Sequence, residues 1–224
     1  MRIQSFIIAY ALVLALLLFA DRRPKSVQQD RYSHVVDLTE TSGENFASRS
    51  RTKVVAPDAL IRGTWTAGQI PAERLIAPLV VMDLNVAPPA QISLDDIATW
   101  ETQHGAVPPG SVVAVRRSGA DHSQNNSPHE SSPQEHFPHA FPMTDQAAEF
   151  LMDARYTTGF AIEQRPEIST DRRLARQLAL HGNYVVEGTS RLTALPATGS
   201  LIIVAPAKDQ QVQNASVRVL AMVR

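Results

Sequence analysis

Short apolar runs, spaced by segments that carry helix caps, constrain this chain more than any other feature. His34 to Leu38 (HVVDL), Leu79 to Leu84 (LVVMDL), Ser111 to Val115, Thr157 to Ile162, Tyr184 to Val186, Leu201 to Val204 and Val217 to Val223 are too short for buried helices and rich in β-branched residues. That pattern predicts strands. Three segments between them carry helix signals. Ser93 can cap a helix to His104, with Asp96 as its box-like partner, Leu94, Ile97 and Trp100 on one face, and Gly105 as the stop. Thr144 can cap a helix through Arg155, with Ala147, Ala148 and Leu151 turned inward. Asp171 can cap a third that runs to His181 and ends at Gly182. Short strands mixed with about three helices predict a single α/β domain.

Composition narrows the function classes. Hydrophobic residues make up 44% of the 224, enough for a real core. A net charge of -1 gives no bulk attraction to nucleic acid. The absence of cysteine excludes disulfides, thiolate zinc sites and cysteine nucleophiles. Arg2 precedes an apolar run from Phe6 to Ala20, which Asp21, Arg22 and Arg23 end. The run suits a signal-peptide core and falls short of the roughly 20 residues of a spanning helix. Leu18 stands where a cleavage site wants a small residue, so a retained membrane tether through residues 6–20 is the alternative. Both readings place the domain outside the cytoplasm: secreted, periplasmic or membrane-anchored. The expected layout is a signal peptide or anchor over 1–23, a polar linker over 24–33 and one domain over 34–224. Residues 121–135, rich in Ser, Pro, Asn, Gln and His, read as a flexible loop.

Several segments, taken in order, resemble one family. They are HVVDLT (34–39), WTAGQIPAERLIAPLVVMDL (65–84), ISLDDIATWETQHGAVPPGSVVAV (92–115), HFPHAFPMTDQAAEFLMDA (136–154), ALHGNYVVEGTSRLTALPATGSLIIVAP (179–206) and SVRVLAMV (216–223). Together they resemble the metal-dependent cyclases, which include bacterial kynurenine formamidases. The resemblance implies a swivelling β/β/α fold and a homo-oligomer. It also implies a small-molecule substrate: an amide or ester such as N-formyl-kynurenine in tryptophan catabolism, hydrolysed with zinc or manganese.

The metal motif is where the chain departs. The family's H-x-G-T-H-x-D-x-P-x-H falls on Arg49 to Ala59, with Thr52 and Pro57 keeping the register. The ligand positions then carry Arg49, Lys53, Val55 and Ala59. A further family histidine falls on Ala175, and only the ligand glutamate is retained, as Glu187. A metal-bound water needs about three protein ligands beside it, so this set does not hold zinc or manganese. Without a metal, a half-buried Glu187 needs a basic partner, and Arg49, Lys53 and Arg173 are the candidates.

Other clusters carry weaker signals. His122, His129, His136 and His139 could bind a metal, but histidine-rich loops are compositional first. Glu163 could pair with Glu187 for acid–base work or simply end a strand, solvated or in a salt bridge. Ser118 and Ser190 lack a nucleophile-elbow context. Two functional expectations follow. One is metal-dependent hydrolysis. The other is a non-catalytic exported binding or structural protein on the same fold.

Overall fold

The structure is a computed structural model. It describes residues 32–40, 51–84, 91–117, 141–163, 171–209 and 211–224. By backbone contacts the chain divides into Met1–Ser33 and His34–Arg224, and nearly all described residues lie in the second unit. The apolar run 6–20, the polar stretch 24–31, the loop 121–135, Arg49 and all four clustered histidines lie outside the described residues.

The strands are β1 (His34–Asp37), β2 (Lys53–Val55), β3 (Ile76–Leu84), β4 (Val112–Arg117), β5 (Gly159–Ile162), β6 (Tyr184–Glu187), β7 (Ser200–Pro206) and β8 (Asn214–Val223). Seven of them close a ring in the order β8-β2-β6-β5-β4-β3-β7 and back to β8, with β1 added along β8. Strands β3, β4, β5 and β6 run parallel, and the other pairings are antiparallel. The helices among the described residues are α1 (Pro57–Leu60), α2 (Ala72–Leu75), α3 (Leu94–His104), α4 (Asp145–Ala154) and α5 (Arg172–Leu180).

Alternation along each strand divides the core in two. One set lies inside the barrel, including Val54, Leu79, Val81, Val112, Ala114, Ala161, Val186, Ile202, Val204, Val217 and Val219. The other lies outside it, where Val80, Met82, Val113, Val115, Phe160, Ile162 and Val185 meet Ile97, Leu151, Leu174 and Leu178 from the helices. Strands β4 and β5 are apolar on both faces because α3, α4 and α5 cover their outer face. Strand β8 has no such cover, and its burial alternates strictly from Ala215 to Val219. Each large apolar side chain taken out of water contributes about 1.5–3 kcal/mol, so the doubly buried strands hold the fold most firmly.

The helix caps form as the sequence predicts. The Ser93 hydroxyl accepts from the Asp96 amide at 3.3 Å, and Ser93 N–H donates to the Asp96 carboxylate at 2.8 Å. Thr144 accepts from Ala147 N–H at 3.3 Å. Asp171 accepts from Arg173 and Leu174 N–H, both at 3.0 Å. Trp100 anchors α3 to the sheet by donating from its indole to the Val81 carbonyl at 3.0 Å.

Two expectations need correction. The described residues hold five helices rather than about three, because α1 and α2 are single turns too short to show a period in sequence. The mixed sheet is not a separately layered swivelling arrangement but a closed barrel. Closure comes from β8, whose upper half pairs with β7 and whose first residues pair with β2.

Candidate functional site

The expected ligand positions converge on the outer face of the barrel. Thr52 sets the geometry. Its hydroxyl donates to the Gly188 carbonyl at 2.6 Å and accepts from Glu40 N–H at 2.8 Å, and the residue is fully buried. This clamp ties the start of β2 to the end of β6. Gly188 has φ +67°, and a Cβ there would stand 2.7 Å from the Arg51 carbonyl oxygen, so only glycine fits.

With that register set, Lys53 stands directly opposite Glu187, and Val55 opposite Val185. Val54 and Val186 point into the barrel, so Lys53, Val55, Val185 and Glu187 point out of it. The chain then turns at Ala56, and Pro57 opens α1, which carries Ala59. Helix α1 packs against α5, which carries Ala175. Ala175 is buried with Val185 and Leu178, and Val55 and Leu60 pack against the same cluster. Two stretches far apart in sequence, 53–59 and 175–187, are thus brought side by side through the β2–β6 pairing and the α1–α5 contact.

The chemistry of the expected ligand positions does not fit a metal ion. Two alanines and a valine offer no donor, the lysine ammonium is itself a cation, and one carboxylate remains. Val55 and Ala175 instead join the apolar cluster outside the barrel. Among the described residues no group of three His, Cys, Asp or Glu could hold a metal ion. Of the bases expected beside Glu187, Lys53 is its cross-strand neighbour. Arg173 is engaged elsewhere, donating to Glu149 at 3.0 Å.

A row of charged residues closes the C-terminal ends of the parallel strands, where open parallel sheets commonly bind ligands. Asp83 and Arg116 are register partners on β3 and β4. Arg116 makes a two-pronged pair with Asp83, one arm at 2.6 Å, and also donates to the Leu192 carbonyl at 3.1 Å. Hydrogen bonding to Asp83 raises the Arg116 pKa above the usual arginine value, and the Glu163 carboxylate adds to that. Sequence reasoning missed the Asp83–Arg116 pair. The signal was a charged residue directly after each of two buried runs, which becomes specific only once the strands are known to be neighbours.

This arrangement defines a class: a closed α/β barrel with a parallel run of four strands covered on its outer face by helices. The chain belongs to the cyclase family, since the family model for putative cyclases matches residues 26–171. Isatin hydrolase of Roseibium aggregatum is 26% identical over 170 residues, 67% of this chain and 61% of that protein. The chain therefore spans 61% of the length of the curated relative it matches. In three dimensions the chain is similar to isatin hydrolase A from Labrenzia aggregata bound to benzyl benzoate, with a TM-score of 0.62, 23% identity, and 90% and 89% of the two chains covered. It is also similar to a potential metal-dependent hydrolase with cyclase activity, with a TM-score of 0.59, 22% identity, and 85% and 98% covered. These structural likenesses establish the fold.

Proposed function

We propose that this protein is a cyclase-family member of metal-dependent hydrolase ancestry that holds a small-molecule ligand on the cyclase fold and has lost the metal-dependent step. One observation supports the reading. The residues that the family motif aligns with its ligands, Lys53, Val55, Ala59, Ala175 and Glu187, lie on β2, β6 and the packed pair α1 and α5 and offer a single carboxylate between them. The ancestral reaction is hydrolysis of an amide or ester in a compact, partly aromatic substrate. N-formyl-kynurenine represents the formamidase side of the family, and isatin represents the relatives of higher identity. The apolar run Phe6–Ala20 supports export, with the domain secreted, periplasmic or tethered to a membrane.

Metal analysis of the purified full chain, beside hydrolysis assays on N-formyl-kynurenine and isatin with added zinc or manganese, tests the reading. We expect no stoichiometric metal and no turnover. Stoichiometric zinc or manganese with turnover would overturn it. The second reading, an active hydrolase of that substrate class, is favoured by the family match and by the likeness to isatin hydrolase. Its metal would have to draw on residues outside the described ones, His122, His129, His136 and His139 among them.

A further inference from the structure

A concavity lies past the end of β2, between α1, the loop that follows it and the end of α5. It encloses about 640 Å³, within the range of roughly 300–1,000 Å³ typical of small-molecule pockets. None of Lys53, Val55, Glu187 or Ala175 lines it.

Its apolar wall is built, not incidental. Trp65 is 37% exposed and Leu180 61% exposed, and both line the groove. The indole is fixed from two directions. Gly182 lies against it with φ +64°, and a Cβ there would meet the ring at 2.7 Å, so only glycine lets the chain approach. The Arg74 guanidinium stands over the ring at 5.5 Å from its centroid and donates to the His181 carbonyl at 3.2 Å. An aromatic side chain left this exposed, yet positioned this tightly, is a preformed platform.

The polar wall is also fixed. Both oxygens of Asp58 are oriented, one accepting from Gly63 N–H at 2.7 Å and the other from the Gln213 amide at 2.7 Å. Each oxygen keeps further acceptor capacity. Gln69 accepts from Thr66 N–H at 3.0 Å through its carbonyl oxygen, and its amide nitrogen has no partner among the described residues. The groove therefore offers acceptors and donors together, beside a flat apolar surface.

Charge selects among ligands. The Asp58 carboxylate repels an anion. Arg74 already occupies the attraction of the indole for positive charge and repels a second cation. A purely apolar ligand would cover the Gln69 amide and the remaining acceptor capacity of Asp58 without bonding to either. What remains is a neutral molecule with hydroxyls along its edge and an apolar C–H face. We propose that this groove is a binding site for a neutral saccharide, stacked on Trp65 and hydrogen-bonded by Asp58 and Gln69. This proposal does not depend on the fate of the metal site.

The test titrates the full chain with cellobiose, maltose and diacetylchitobiose, and separately with choline and with anthranilate. Calorimetry reads binding, and the indole N–H resonances of Trp65 and Trp100 report its place. We expect saturable binding of at least one disaccharide, with a shift at Trp65 and none at Trp100, which is buried against Val81. Trp65→Ala should weaken binding at least tenfold while the unfolding midpoint shows the fold intact, and Trp65→Phe should retain part of the affinity. The proposal is overturned if no disaccharide binds, if Trp65→Ala leaves binding unchanged, or if only choline or anthranilate shifts the Trp65 resonance.

Discussion

Lys53 and Glu187 face one another across neighbouring antiparallel strands, at two positions where the family resemblance calls for metal ligands. The Thr52–Gly188 clamp one residue away fixes that register.

That relationship predicts a gain of function. The combined variant Lys53→His, Val55→Asp, Ala59→His and Ala175→His, with Glu187 kept, should bind one zinc per chain where the parent binds none. Adding zinc should raise its melting temperature, because Asp at position 55 and His at 175 enter an apolar cluster that only a metal would relieve. A folded variant that takes up no zinc would sink the claim that the positions converge in ligand geometry.

Gly188→Ala should be severe. The added Cβ meets the Arg51 carbonyl at 2.7 Å and the φ of +67° is unfavourable for alanine, so the clamp that aligns β2 with β6 must open. Overpacking and backbone strain together suggest a loss of about 2–4 kcal/mol. Urea denaturation measures it, and a change within error would show that the turn can relax freely.

The Asp83–Arg116 pair closes the barrel end. Arg116 is 19% exposed in its side chain and Asp83 34%, so screening is incomplete. Arg116→Met removes the donor to both the carboxylate and the Leu192 carbonyl. The expected cost is about 1.5–3 kcal/mol, larger than for an exposed pair. The reciprocal Asp83→Asn should cost less, because it keeps one acceptor for the guanidinium.

Glu101 gives a pH dependence with a definite sign. Its carboxylate accepts from the Arg155 guanidinium at 2.6 and 2.8 Å and from Val107 N–H at 2.9 Å. Arg155 first, and Val107 to a smaller extent, hold its pKa below the ordinary 4.5 against the opposing effect of burial. A lowered folded pKa means that the stabilisation is present above the unfolded value and is lost as pH falls through the folded one. Glu101→Gln should therefore lose less stability than the parent between about pH 6 and about pH 3, by roughly 1 kcal/mol. Parallel slopes for the two proteins would remove Glu101 from the acid response.

Much of the architecture was legible locally. Ser93, Thr144 and Asp171 announce their helices because a cap acts within three residues of itself. The runs at 79–84 and 111–115 announce strands because valine packs well on a pleated surface. Strand β2 was not legible, since three residues cannot show a period, and α1 and α2 escaped for the same reason. Among site residues, Lys53 was named as a candidate partner for Glu187 from its place in the family motif and its charge, and β-sheet register makes the two cross-strand neighbours. Arg173 was named for its charge, but α5 presents it to Glu149 instead. Charge states what a residue needs, whereas only packing decides which opposite charge it meets.

The sequence by itself determined the alternation of strands and capped helices, the missing cysteine chemistry, and the absence of histidine from Arg49 to Ala59. Those properties are local or purely chemical, so no folding is needed to read them. Tertiary structure decided the rest. It closed the ring through β8, set Lys53 against Glu187, joined Arg116 to Asp83 and pressed Gly182 onto Trp65. Each of these joins residues distant in the chain, and their register is set by the need to bury both faces of the sheet at once, a condition no local segment carries.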